Sequence, residues 1–196
     1  ENTSWSQKAN FIEVPTDCPQ RDERLGWTGD AQLFSSTACY FYNCEKFFIK
    51  YLKDLVSEQD ADGAIGHVSP DITRNGKTND LRFISEEEKI NGFWSHKGAT
   101  GWGDAIVIIP WTLYKHYGNI NVLKDCYQSM IKWCDYLWSI SQEPVIRNPR
   151  YPTLSEGIKK RGFTFGDWVL PIGDDRPPNP HIGDDCYSTI YHFIST

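Results

Sequence analysis

The sequence has no basic run, no long apolar stretch, no closely paired cysteines and no sustained alternation of apolar and polar residues. Each absence removes a class of protein. Twenty Lys and Arg stand against 26 Asp and Glu, for a net charge of −6, so the electrostatic footprint of a nucleic-acid-binding protein is missing. The apolar run at 106–111 is far shorter than the ~20 residues a membrane span requires. Six cysteines, at 18, 39, 44, 126, 134 and 186, lie far apart with no C-x-x-C pair, which gives no zinc signature. A chain of 196 residues can bury a proper core without a disulfide framework, and free, mostly buried thiols are expected. With no strand alternation and no internal repeat, an all-α chain follows by elimination as well as by pattern. There is no initial methionine and no signal peptide, so the chain reads as an excised piece with its compartment open.

What the sequence has instead is aromatic and acidic. Eight Trp, ten Tyr and ten Phe make up 14% of the residues, enough to pack a core and leave rings for a stacking cleft. The densest stretch is Asp17-Cys18-Pro19-Gln20-Arg21-Asp22-Glu23-Arg24-Leu25-Gly26-Trp27-Thr28-Gly29-Asp30. It holds four carboxylates, two arginines, two glycines and a tryptophan. Carboxylates bond sugar hydroxyls, one of them can donate a proton, and indole covers the apolar face of a pyranose. The same residues also fit a solvated ion-pair ladder before a helix, with Asp30 as its N-cap.

Taken in order, residues 1–13 hold one short helix. Pro15 and Pro19 then force an extended, turning segment, because the residues before them avoid helical angles. The acidic stretch therefore sits on a loop, with Gly26 and Gly29 as flexible corners. Asp30 is expected to cap one long helix over 31–56, its stripe carried by Leu33, Phe34, Ala38, Phe41, Phe48, Leu52 and Leu55. Asp60-Ala61-Asp62-Gly63 opens like a calcium loop but lacks the later acids, and reads as a turn after a helix. His67 follows in a loop it is expected to support. Residues 75–91 are polar and Glu-rich and read as an exposed insertion, with Trp94 after them as a ring that can line a cleft. Gly101-Trp102-Gly103-Asp104-Ala105 begins a second helix through Tyr117, kinked at Pro110 and stopped by Gly118. Here Asp104 is either a site acid or a cap, and Trp102 either a wall or a packing plug. A third helix over 121–140 has a stripe of Val122, Leu123, Tyr127, Met130, Ile131, Cys134, Leu137 and Trp138. A long loop over 141–161, an Asp167-Trp168 pair and a Pro-rich loop at 174–180 lead to a last helix over 181–196.

The run from Asn10 through Asp30 closely resembles the signature of bacterial α-L-rhamnosidases, glycoside hydrolases with an (α/α)6-barrel catalytic domain. Residues 62–71, the run from Gly101 to Trp111, and 163–168 look like further motifs of that family, so the resemblance covers nearly the whole chain. It implies an all-α (α/α)6 toroid and an inverting glycosidase that releases terminal α-L-rhamnose. It further implies Glu23 as general acid, Asp17 and Asp30 on rhamnose hydroxyls, and Trp27, Trp102 and Trp168 as the apolar wall. Asp22, Arg21, Asp104 and Asp167 would stand near the site, dividing substrate contact and support between them. The chemistry implied needs no cofactor and no metal, and the implied partner is a carbohydrate rather than nucleic acid or membrane. The compartment could be bacterial cytoplasm, periplasm or the exterior.

Twelve helices of ~12 residues with loops of ~5 need at least ~200 residues, and the helices and loops here are longer. Four or five helices fit, so residues 1–196 are expected to be a single partial domain, the first half of a barrel continued by the rest of the same polypeptide. Inversion needs an acid and a base roughly 6.5–9.5 Å apart. The family's general-base glutamate has no counterpart before Thr196, and nothing around Glu156 marks it for that role. The chain alone should therefore bind sugar weakly and catalyse poorly. Two other readings stay open: an (α/α)6-barrel glycosidase of different sugar preference, and a catalytically dead sugar-binding descendant.

Overall fold

The computed structural model describes residues 1–21, 24–72, 97–140 and 184–196. Six helices account for most of them: α1 (Asn2–Asn10), α2 (Thr28–Phe41), α3 (Glu45–Glu58), α4 (Ala105–Tyr117), α5 (Ile120–Ile140) and α6 (Asp184–Ser195). Among the described residues, strand-type pairing is confined to two isolated bridges, Phe11 with Pro15 and Trp27 with Val68.

The single helix expected over 31–56 is two helices. Tyr42 turns to extended angles (φ −144°, ψ 156°), and the chain restarts at Glu45, whose backbone N–H bonds the Asn43 side-chain oxygen at 3.2 Å. Asn43 acts as a local substitute for the lost helical bonds, the usual competition between Asn side chains and a continuing helix. The Tyr117 hydroxyl fixes the corner by accepting from Cys44 N–H at 3.0 Å. Apolar spacing carries across such a corner unbroken, which is why periodicity alone missed it.

Hydrogen bonds between the elements set their directions. Gly29 at the start of α2 lies against Trp102, just before α4, and Tyr42 at the end of α2 meets Tyr117 at the end of α4, so α2 and α4 run the same way. Helix α3 returns. Glu45 accepts from Asn119 at 2.8 Å, and at the opposite end the Glu58 carboxylate accepts from Ser69 Oγ and Asp71 N–H. Helix α5 returns too, bringing Trp133 back to Asp104. Helix α6 runs against α5, His192 beside Trp138 and the Ser195 carbonyl beside Cys134. The result is two up-and-down helix pairs and the first member of a third. The starts of α2, α4 and α6 share one end with the loops at 59–72 and 97–104.

The core lies between the pairs, built on Phe48, Tyr51, Leu52 and Leu55 of α3, Ile106, Ile109 and Leu113 of α4, and Trp133 and Leu137 of α5. Two faces differ from the sequence expectation. On α2 the buried residues are small or polar (Ala31, Gln32, Ser35, Ala38) while Leu33, Tyr40 and Phe41 are exposed. Small side chains let α2 approach α4 closely, and that contact outranks burial of the larger apolar ones. On α5 the buried stripe is Val122, Cys126, Ser129, Trp133, Tyr136 and Leu137, whereas Tyr127, Ile131 and Trp138 are exposed. On the same buried face the Ser129 carbonyl accepts from the Gln59 side-chain amide at 3.0 Å, a contact that residue hydrophobicity does not reveal.

Helix α4 includes Pro110 within its span and closes, as expected, at Gly118 in the left-handed region, φ 69°, with its N–H on Tyr114 O. Asp60–Gly63 is a turn, with Gly63 at φ 97° donating to Asp60 O at 2.9 Å. Cys18, Cys39, Cys44, Cys126 and Cys134 are free, and burial pushes their thiols up. Among the described residues no helix is long and apolar enough to cross a membrane.

Candidate functional site

The acidic loop is anchored from both sides. On its N-terminal side, Phe11 stacks on Phe47 (4.6 Å between centroids) and meets Phe34 and Phe48 edge-on. This aromatic knot pins the chain leaving α1 to α2 and α3. The ends of the loop then close on each other. Asp17 N–H donates to Leu25 O at 3.1 Å, and Leu25 N–H donates to the Asp17 carboxylate at 3.1 Å. Arg21 completes the cover of Asp17 with a 3.1 Å ion pair. Arg24 turns the chain at φ 43°, a left-handed conformation that non-glycine residues adopt infrequently. Asp22 and Glu23, within this closed loop, lie outside the described residues, as do Trp94, Asp167, Trp168 and Glu156.

Beyond Leu25 the chain is laid onto the 66–69 segment. Thr28 donates from both N–H and hydroxyl to His67 O at 2.9 Å, and Ser69 N–H and the Tyr51 hydroxyl both donate to Gly26 O at 2.9 Å. His67, itself buried, supports the loop through its carbonyl, as expected. The two glycines are not flexible corners. A Cβ on Gly26 would lie 2.2 Å from Ser69 O, and one on Gly29, inside α2, 2.8 Å from the Trp102 indole. Both are close-approach positions. Because the obstacle at Gly26 is backbone, Gly26→Ala is expected to lower the thermal midpoint by several degrees, with a cost of ~1–3 kcal/mol. A melting curve within a degree of wild type would contradict that close packing.

The predicted site residues fall into two groups. Asp17 and Asp30 line one cavity of about 640 Å³, whose other wall is formed by α1, including Asn10, and by Phe11 and Thr16 after it. Asp30 is exposed in the first turn of α2 rather than its cap, which is Trp27. An acid there is favoured by the helix dipole. Trp27 and Trp102 pack together with Val68 and Ala99 in a separate apolar cluster. Each is only 8% exposed, so each offers an edge rather than an open face.

Asp104 is completely buried. Its carboxylate accepts from Gly101 N–H at 2.6 Å, from the Trp133 indole N–H at 3.1 Å, and from the Ser195 hydroxyl. Burial pushes its pKa up to about 6, with these three donors pulling the other way. A folded value above the unfolded one means that the folded state holds the proton more tightly. This contribution to stability is full below about pH 4 and lost as pH rises through about 6. Relative to Asp104→Asn, the wild type is expected to lose ~2–3 kcal/mol between pH 4 and 7, at 1.36 kcal/mol per unit. Parallel stability–pH curves for the two proteins would contradict it.

Sequence reading missed three contributors. Among the described residues Trp133 is the largest fully buried side chain, on the face of α5 turned to the core. Tyr187 has its hydroxyl 2.3 Å from where a Cβ on Gly101 would lie. Ser195 reaches Asp104 from the last turn of α6. Nothing in the sequence around Tyr187 or Ser195 signals either contact. Among the described residues no three His, Cys, Asp or Glu side chains converge as a metal would require.

The description "bacterial alpha-L-rhamnosidase 6 hairpin glycosidase domain" matches residues 1–196. An α-L-rhamnosidase of Streptomyces avermitilis is 36% identical over 176 residues, covering 90% of this chain and 14% of that protein. One from Alteromonas sp. (strain LOR) is 34% identical over 190 residues, covering 97% and 17%. Among solved structures, S. avermitilis α-L-rhamnosidase complexed with L-rhamnose superposes with a TM-score of 0.71 at 35% identity, covering 99% of this chain and 15% of that one. The α-L-rhamnosidase from Dictyoglumus thermophilum gives 0.71 at 29% identity, covering 97% and 17%. The chain thus spans 14 to 17% of the length of these relatives.

Proposed function

The chain belongs to the bacterial α-L-rhamnosidase six-hairpin glycosidase family, and we propose that it is the N-terminal part of a catalytic domain that hydrolyses terminal α-L-rhamnosides with inversion. The remainder of the polypeptide would complete the barrel and supply the general base. Family membership over all 196 residues carries the reading. The placement of Asp17 and Asp30 on one cavity supports the site assignment.

In this reading Glu23, held in the loop that Asp17 and Leu25 close, protonates the departing glycosidic oxygen. Asp17 and Asp30 accept from rhamnose hydroxyls, with Asp22 and Asp167 beside them. Trp27, Trp102 and Trp168 form the apolar wall, which suits a 6-deoxy sugar with its methyl group. Arg21 neutralises Asp17 and keeps its oxygens oriented, at the cost of opposing the raised pKa a general acid needs.

A panel of aryl glycosides offered to the full-length protein tests the proposal. The expected result is hydrolysis of the α-L-rhamnoside in preference to α-L-fucoside, α-D-mannoside and β-D-glucoside. Activity on another sugar with none on rhamnoside would keep the barrel and overturn the substrate, and inactivity on all would favour a sugar-binding descendant.

A further inference from the structure

Among the described residues, Asp104 is the predicted site acid that the structure withdraws from solvent entirely, and its two oxygens serve different elements. Oδ2 accepts from Gly101 N–H, in the turn that precedes α4. Oδ1 accepts from Trp133 on α5 and Ser195 on α6. The turn it holds is sharply determined. Gly101 lies at φ 81°, and the Tyr187 hydroxyl occupies the place of a Cβ. Trp102 follows with its indole pressed against Gly29 of α2.

We propose that Asp104 is a positioning residue, which sets the Trp102 ring against α2 by fixing the Gly101 amide and ties that setting to α5 and α6 through Trp133 and Ser195. The inference rests on the assignment of Trp102 to the sugar site. It differs from a substrate contact, because every oxygen of Asp104 is already turned to a protein donor. The donors favour a carboxylate over an amide at this position. Two N–H groups approach opposite oxygens, so an asparagine in either orientation would face one of them with its own N–H. A carboxylate alone accepts on both sides, which an unpaired buried donor makes costly to lose.

A double-mutant cycle on the full-length protein tests this, with Asp104→Asn, Trp102→Phe and the pair assayed on whichever aryl glycoside the wild type cleaves. Asp104→Asn is expected to lower kcat/KM by about 10–100-fold, chiefly through KM, as loss of a contact that binds substrate and transition state alike does. In the Trp102→Phe background it should cost less than about 3-fold, since residues that act through one another are not additive. Hydrogen exchange of the 99–104 peptide should be at least about tenfold faster at the Gly101 amide. Leu113→Ala, deep in the same helix, should lower the thermal midpoint while leaving kcat/KM within about 3-fold well below melting. Should Asp104→Asn not fold, Trp133→Phe removes one donor and is expected to give a smaller loss with the same dependence on Trp102.

Full multiplication of the two effects would overturn the proposal in favour of direct substrate contact or general instability. So would unchanged exchange at Gly101. Lack of rhamnosidase activity in the wild type counts against the proposed function instead, and the exchange experiment then decides the role of Asp104 by itself.

Discussion

Glu23→Gln in the full-length protein is expected to reduce hydrolysis of α-L-rhamnosides by ~10²–10⁴-fold, the usual worth of a general acid. The loss should depend on the leaving group. A nitrophenolate departs as an anion with little help, whereas a sugar or aliphatic alcohol needs its oxygen protonated as the bond breaks. The variant should therefore fall near the lower bound on aryl substrates and near the upper bound on disaccharides. Rhamnose binding should persist, because Asp17, Asp30 and the tryptophans are unchanged. Equal losses on both substrate types would point to a disturbed loop rather than a missing proton donor. An unaltered rate would remove Glu23 from the mechanism.

The second large effect is on stability. Trp133 is wholly buried, stacks on Tyr136 at 5.5 Å and lies 2.3 Å from where a Cβ on Gly103 would stand. Trp133→Ala is expected to cost ~3–5 kcal/mol from lost burial and the cavity left behind. It also strips a donor from the Asp104 carboxylate, which adds ~1–3 kcal/mol. Trp133→Phe keeps most of the packing and loses the N–H, so it should fall well short of the alanine variant. Thermal or denaturant unfolding of the two side by side measures the difference. Alanine and phenylalanine variants of equal stability would show that the indole is not packed as described.

How much of this was legible in the sequence differs from one element to the next. The loop carrying the acids was legible because Pro15 and Pro19 keep the residues before them out of helical angles. The stop at Gly118 was legible because only glycine enters the left-handed region without penalty. The corner at Tyr42–Cys44 was not, since it depends on Asn43 and on Tyr117, which is 73 residues from Cys44. The faces of α2 and α5 were misjudged because apolar size was taken as the measure of burial. On α2 close approach to α4 selects small residues, and on α5 the buried face takes in Ser129 and Cys126 while Tyr127, Ile131 and Trp138 stay exposed. Gly29 was taken for flexibility when its missing Cβ makes room for Trp102. Asp104 was recognisable as special from its glycine-flanked position beside Trp102. That its oxygens face Trp133 and Ser195 could come only from the fold.

As part of an inverting α-L-rhamnosidase, this chain would contribute Glu23 and its loop. Proton NMR of an aryl α-L-rhamnoside during the first minutes of hydrolysis by the full-length protein reads the anomer released. β-L-rhamnose is expected first, with the α anomer growing in only as mutarotation proceeds. First appearance of α-L-rhamnose would contradict inversion, and no released rhamnose would contradict the activity itself.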